Sequence, residues 1–355
     1  MKKLLLLLLA TVLAGPAHAQ RAAALTALLQ QHRVPGMQVV YTHGRHTERY
    51  SLGVREGVGS QPVTDTTIFE AASLGKQLLA YVALRLVDRG VLDLDKPLLS
   101  YYAYPRVQGQ PRAARVTTRL VLTHTAGLPN WAVNPTGPDW VTSPLRLTSA
   151  PDSCWRYSGE GYAWLQQTLE HLTGHSWEEL AREHVFQPLG MKHSSFAWQP
   201  RFAASASAGH TGPGEVVPID HFAAPNAGFS LYSTATDYDR FLRALRRGKG
   251  LQPATTRLLL TPATPANRCG QPVSAADPYI DWACGVGLAA TSQGLAQWQW
   301  GDNGNFKGFF LTLPGRQESL LFFTNSANGA KMTDELLRLF MGPGQYWATQ
   351  WLEAS

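Results

Sequence analysis

Hydrophobic patterning assigns this chain to the α/β (α+β) class: an antiparallel sheet flanked by helices, with an inserted, mainly helical domain. Three observations carry the assignment. Period-two apolar alternation occurs near both ends, at Met37, Val39 and Tyr41 and again at Phe309, Leu311 and Leu313. Helical periodicity dominates the segment between them. No internal repeat, low-complexity tract or flexible linker separates the parts. A sheet domain formed by residues 20–72 and 225–355, interrupted by a helical domain at 73–224, accounts for this order.

In chain order, Leu25, Leu28 and Leu29 share a helical face that Val34-Pro35-Gly36 terminates. A β-hairpin follows, turning at His43-Gly44-Arg45 and returning through Tyr50 to Gly53. From Ser73, residues Leu78, Leu79, Val82, Leu86 and Val87 line one helix face and Gly90 supplies the stop. Residues 91–155 are rich in Pro, Thr and Gly. Tyr162, Leu165, Leu169 and Leu172 mark a helix ending at Gly174, and Ser176 with Glu179 forms a capping box for the next. Thr236 is read as the start of another helix, running to Gly248. Pro314-Gly315 turns the chain between the Phe309 strand and a doubly buried strand at Leu320–Phe323, and residues 332–341 close with a helix.

The chain of 355 residues carries 44% hydrophobic and 16% charged residues with 11 Trp, 12 Tyr and 13 Phe, which excludes disorder and indicates a large buried interior. Met1-Lys2-Lys3, the Leu4–Leu9 run and Ala17-His18-Ala19 follow the grammar of a secretory signal peptide, residues 1–19, cleaved after Ala19. The expectation is a periplasmic or secreted protein with no stable membrane anchor after cleavage. Loss of Lys2 and Lys3 leaves 29 basic against 25 acidic residues, scattered along the chain. The densest basic group, Arg243, Arg246, Arg247 and Lys249, reads as a solvated helix end, and no basic stripe suits nucleic acid. Cys269 and Cys284 can bridge across a 14-residue loop, or all of Cys154, Cys269 and Cys284 are buried free thiols. Their spacing fits no zinc pattern, so no metal and no cofactor is expected.

The sharpest chemical signal is Ser73-Leu74-Gly75-Lys76. Lys76 is the single lysine of the chain with a serine three positions before it. At the head of a helix, positions i and i+3 are neighbours, so a hydroxyl meets an amine. A lysine whose pKa burial has lowered can take the serine proton, and helix N-terminal N–H groups face a developing oxyanion. His124 is read as structural. No G-x-S-x-G elbow and no H-E-x-x-H pair occurs, and Gly285-Val286-Gly287 with Ala290 reads as strand rather than as a dinucleotide fingerprint.

Phe69-Glu70-Ala71-Ala72-Ser73-Leu74-Gly75-Lys76, Val121-Leu122-Thr123-His124-Thr125-Ala126-Gly127 and Trp155-Arg156-Tyr157-Ser158-Gly159-Glu160-Gly161-Tyr162 occur in that order. Together they resemble the serine β-lactamase and penicillin-binding-protein superfamily, in the branch of class C β-lactamases, D,D-peptidases and related esterases. The resemblance runs from about Pro35 to Ser326. It implies an active site between the two domains, Ser73 as acylated nucleophile, Lys76 as its partner and Tyr157 as the group sharing the Ser73 proton. It further implies an oxyanion hole from the backbone N–H groups of Ser73 and Asn305. Two positions depart from the pattern. Gly159 stands where an asparagine grips the substrate amide. Asp302, in Asp302-Asn303-Gly304, stands where a cation receives a substrate carboxylate, and its charge opposes such substrates unless it is paired, with Lys307 as the candidate.

The function this implies is an exported serine hydrolase forming an acyl-enzyme with a peptide or ester, of D-amino-acid peptidase or esterase type, with weak or no β-lactamase activity. One alternative is a penicillin-recognising or cell-wall-binding protein without turnover. Another is a true class C-like β-lactamase. The expected partner is a small-molecule or peptide substrate, peptidoglycan fragments among them, met by a monomer.

Overall fold

The computed structural model describes residues 16–57 and 59–354. Most of the segment 1–19, expected from the sequence to be a signal peptide, lies outside those residues, although Ala17–Ala19 fall at the start of a helix. That helix, α1 (Pro16–His32), leads into β1 (Gly36–His43), β2 (His46–Gly53) and β3 (Phe69–Ala72). Then come α2 (Gly75–Asp88), α3 (Thr118–Leu122), α4 (Gly159–Thr173), α5 (Trp177–Ala181) and α6 (Gln187–Leu189), followed by a ribbon of β4 (Gly209–His210) and β5 (Val216–Val217). The remainder supplies β6 (Leu231–Ser233), α7 (Ala235–Arg246), α8 (Pro253–Arg257), β7 (Thr264–Pro265), β8 (Ile280–Trp282), β9 (Gly287–Thr291), β10 (Gly294–Asp302), β11 (Lys307–Leu313), β12 (Glu318–Thr324), α9 (Thr333–Met341) and α10 (Trp347–Glu353).

Eight strands form one antiparallel sheet in the order β2-β1-β12-β11-β10-β9-β8-β7, so the two ends of the chain meet where β1 pairs with β12. Both faces of that sheet are covered, which explains the unbroken apolar run in β12. Leu321 and Phe323 pack with α2, α4 and the helical segment, while Leu320 and Phe322 pack with α1, α9 and α10. Trp155, Trp282, Trp298 and Trp351 fill the second core, edge to face except for the tilted Trp155–Trp282 pair. A separate pairing of β3 with β6 sets the chain just before Ser73 against the segment carrying Gly228.

Local signals decide most helix ends. The Ser176–Glu179 capping box forms, and Gly174 adopts φ +71° to close α4. Two expected starts shift. Thr234, not Thr236, caps α7 by accepting the Asp237 N–H at 3.1 Å. The helix after Ser73 begins at Gly75, leaving Ser73 in the preceding turn. The basic group at the end of α7 is not simply solvated. Arg243 pairs with Asp239 at 2.7 Å, and the buried Nε and Nη1 of Arg246 have no partner among the described residues.

The proposed Cys269–Cys284 bridge is incorrect: Cys154 pairs with Cys269, their Cα atoms 5.4 Å apart, and Cys284 is buried and free. The reason is tertiary. The Cys269 N–H donates to the Trp155 carbonyl at 2.9 Å, which lays the two segments side by side, whereas Cys284 turns into the core near Arg119. The bridge spans a sequence separation of 115, so its loss should cost about 2–5 kcal/mol through the unfolded chain. Guanidinium denaturation should show that loss for Cys154→Ser paired with Cys269→Ser, and a much smaller change for Cys284→Ser.

Candidate active site

Ser73 follows a break in β3. The register with β6 shifts between Glu70 and Ala72, and Ala72 takes φ +50°, a conformation L-residues adopt at a cost. This bend delivers Ser73 to a turn whose next residues begin α2, and the Lys76 N–H donates to the Ser73 carbonyl at 3.1 Å. The two side chains therefore face one another despite the later helix start. Lys76 Nζ lies 3.0 Å from Ser73 Oγ and donates to the Gly228 carbonyl at 2.7 Å; Ser73 Oγ donates to the same carbonyl at 3.1 Å.

Lys76 is 1% exposed and lies in no ion pair among the described residues. Rings surround it instead, with Nζ 4.8 Å from the Tyr157 centroid, 5.9 Å from Tyr162 and 6.0 Å from Trp131. Burial lowers its pKa to about 7. As an ammonium, Lys76 donates to Ser73; as a neutral amine it keeps the Gly228 bond and offers a lone pair to the serine proton.

Tyr157 sits between Lys76 and Trp300, its ring 4.7 Å from the latter. Its hydroxyl is buried without a hydrogen-bond partner among the described residues. Burial pushes the phenol well up, the nearby Ser73 and Gln299 side chains draw it back, and the Asp302 charge pushes it up further. Both amide atoms of the buried Gln299 are also unpartnered among the described residues. His124 packs against the Tyr157 ring, centroids 4.5 Å apart. Its Nδ1 accepts the Ser158 N–H at 3.1 Å, and burial followed by the Lys76 charge holds it neutral.

The positions that depart from the family pattern have structural causes. Gly159 heads α4, its N–H bound to Asn130 Oδ1 at 3.0 Å, and a Cβ there would overlap the Trp131 indole. Trp131 fills the space of the absent asparagine and also presses on Gly228, where a Cβ would lie 2.8 Å from the ring. Asp302 is not a free charge. It faces Lys307 across the β10–β11 hairpin, pairs with its ammonium, and accepts the Gly304 N–H at 2.8 Å. Asn303 turns inward, donating to Glu70 Oε2 at 2.6 Å and to the Phe229 carbonyl at 3.2 Å.

One expected role needs correction. The Asn305 N–H donates to the Asn303 carbonyl at 2.9 Å around Gly304, φ +76°, so it closes the hairpin turn rather than standing open beside Ser73. Sequence reasoning also missed Gly228, Trp131, Gln299, Trp300 and Glu70. Glu70 had the clearest available signal, a carboxyl three residues before Ser73 in a strand that Ala71 and Phe69 mark as buried; burial pushes its pKa up to about 7.

Two outcomes follow from this geometry. The native Lys76 pKa lies below its unfolded value, so between about pH 7 and 10.5 the unfolded chain binds more protons and stability rises with pH. Below pH 7 the folded protein bears the full burial cost. Lys76→Met should raise Tm most at pH 6 and lose that advantage above pH 10, as read by calorimetry. Gly159→Asn should destabilise by about 1–3 kcal/mol through overpacking, and Trp131→Ala in the same chain should recover part of it in urea titrations.

Comparison with known proteins places this geometry. The family model described as Beta-lactamase matches residues 21–339. Penicillin-binding protein 4 of Amycolatopsis lactamdurans is 27% identical over 89% of this chain and 87% of its own length. Esterase EstB of Burkholderia gladioli is 29% identical over 85% of this chain and 88% of its own. The solved structure of a class C β-lactamase superposes with a TM-score of 0.76 at 18% identity, covering 92% of this chain and 97% of that one, a likeness of fold. A buried serine–lysine pair packed beside a doubly covered antiparallel sheet, in a chain matched by the family model over most of its length, makes this protein a serine hydrolase of the β-lactamase family.

Proposed function

We propose that the protein hydrolyses a peptide or ester through a covalent intermediate on Ser73. The observation that carries the reading is the fully buried Lys76 amine, with a pKa of about 7 and 3.0 Å from Ser73 Oγ. In the acylation step Ser73 Oγ bonds to the substrate carbonyl carbon, its proton passes to the Lys76–Tyr157 pair, and Tyr157 delivers a proton to the departing amine or alkoxide as the old bond breaks. Water then cleaves the Ser73 ester and restores the hydroxyl. The rate of acylation should rise with pH through about 7 as Lys76 becomes neutral.

Gly159 with Trp131 supports esterase or D-amino-acid peptidase activity over efficient β-lactam hydrolysis, because an indole replaces the amide that would orient an acyl-side amide. The relatives named as an esterase and a penicillin-binding protein agree with that range. Turnover of p-nitrophenyl acetate should vanish in Ser73→Ala with the fold intact. Lys76→Ala and Tyr157→Phe should each reduce it by orders of magnitude, and the double variant should lose far less than the summed effects. Equal background rates in wild type and Ser73→Ala would favour a binding protein.

The same reading has the chain exported to the periplasm or medium and active as a monomer. The leader pattern at 1–19, the Cys154–Cys269 bridge and the dispersal of exposed apolar side chains such as Val91, Val141 and Val273 support it. Native mass spectrometry of protein recovered from producing cells should show a single chain beginning at Gln20.

A further inference from the structure

Residues 130–143 form neither helix nor strand, and most of the segment between Trp131 and Trp140 is exposed. Trp131 nonetheless holds one position. It presses on Gly228, whose carbonyl receives both Ser73 Oγ and Lys76 Nζ, and its ring stands edge-on to Phe229 with centroids 5.6 Å apart. Backbone and rotamer freedom both oppose fixing an indole on an irregular, exposed loop, so something must moor it there.

The mooring is an ion pair. Glu160, next to Gly159 in the first turn of α4, is buried, and so is Arg106. The guanidinium grips the carboxylate twice, Nη1 to Oε2 at 2.6 Å and Nη2 to Oε1 at 3.0 Å. Glu160 Oε1 also accepts the Ala132 N–H at 3.0 Å and the Trp140 Nε1–H at 3.1 Å, while Arg106 Nε donates to the Ser143 carbonyl at 2.8 Å. One charge pair therefore fastens the loop just after Trp131, at Trp140 and at Ser143. The residue before Trp131 is tied to the same helix end. Asn130 accepts the Glu160 N–H on its carbonyl at 2.9 Å and the Gly159 N–H on Oδ1 at 3.0 Å. A buried ion pair contributes little net stability relative to apolar side chains of similar volume; what this one supplies is a set of directional bonds on either side of Trp131.

We propose that Arg106 and Glu160 are positioning residues that hold Trp131 as the wall limiting the size of the acyl group transferred to Ser73. The proposal rests on the Ser73 acyl-enzyme reading and narrows its substrate to compounds with small acyl groups. Trp131 fills the space over Gly159, where the family pattern puts the asparagine that holds the acyl-side amide, so the room it takes from the site is room on the acyl side. Neither Arg106 nor Glu160 needs to touch substrate for this; both act through the loop.

The test compares p-nitrophenyl acetate with p-nitrophenyl phenylacetate, which share a leaving group. Trp131→Ala should raise the phenylacetate-to-acetate ratio of kcat/KM about tenfold, the scale on which an apolar pocket resolves small differences in size. Arg106→Met with Glu160→Leu removes the charges and the acceptor together and should raise the ratio in the same direction. Arg106→Met with Glu160→Gln removes the charges but keeps a carbonyl oxygen for Ala132 and Trp140, and should leave the ratio near wild type. An unchanged or lowered ratio in Trp131→Ala overturns the wall. Equal ratios in the leucine and glutamine pairs overturn the mooring, as do equal losses on both substrates, the mark of a merely structural role. If the leucine pair does not fold, Trp140→Phe deletes one donor to Glu160 and keeps a ring; it should shift the ratio part of the way, and no shift overturns the mooring. Hydrogen exchange over residues 128–145, read by mass spectrometry in the Ser73→Ala background, gives an answer free of the chemistry: exchange should quicken in the leucine pair and not in the glutamine pair. Should Ser73→Ala leave ester turnover intact, the acyl-enzyme reading falls, and the exchange result still decides whether the ion pair holds the loop.

Discussion

The burial of one amine without a counter-charge is the constraint around which the rest of the molecule is arranged. Moving Lys76 from a pKa of 10.5 to about 7 corresponds to roughly 5 kcal/mol of differential solvation. Pairing it with a carboxylate would remove that cost and would also restore an inert ammonium. The fold instead supplies one carbonyl, Gly228, and the faces of Tyr157, Tyr162 and Trp131. Rings offer a protonated amine modest attraction and a neutral amine no penalty. The group is thus held where either protonation state is accessible near neutrality.

Keeping water from that amine needs a rigid surround. The helix carrying Lys76 is buried on nearly every side, between the sheet and α4. The bend at Ala72 and the β3–β6 pairing bring Ser73 and Gly228 to the same point. On the opposite side the disulfide and the Trp155–Arg268 bridge fix the segment that carries Tyr157. The strand pairing, the disulfide and the bridge each join parts of the chain more than a hundred residues apart. A site so assembled depends on the whole fold, and its flexibility is limited by core packing rather than by loop mobility.

Recognition is where this chain differs from its family pattern, and the differences are coupled. An asparagine at 159 and an indole at 131 cannot occupy one space, so Gly159 and Trp131 form a single exchange of a polar grip for an apolar wall. Likewise Asp302 and Lys307 neutralise one another at the hairpin mouth, which removes both the expected attraction and the expected repulsion of a substrate carboxylate.

Local order along the chain was enough for the features that depend on neighbours in sequence. Alternation defined β1 and β11, an unbroken apolar run defined β12, short-range capping defined the ends of α4 and α5, and the three-residue interval brought Ser73 to Lys76 even though the helix starts two residues later than its serine suggests. The motif order likewise brought Tyr157 beside Lys76, whose Nζ lies 4.8 Å from the ring centroid. Contacts between distant segments lay beyond that reach. The partner of Cys269 was settled by the Trp155–Cys269 hydrogen bond, the role of Gly159 by Trp131, the availability of the Asn305 N–H by a turn around Gly304, and the charge of Asp302 by Lys307 across a hairpin. Periodicity and capping are written within a few residues because helix and strand geometry repeats locally. Pairing, desolvation and steric exclusion arise only when chain packing brings residues far apart in sequence within a few ångströms.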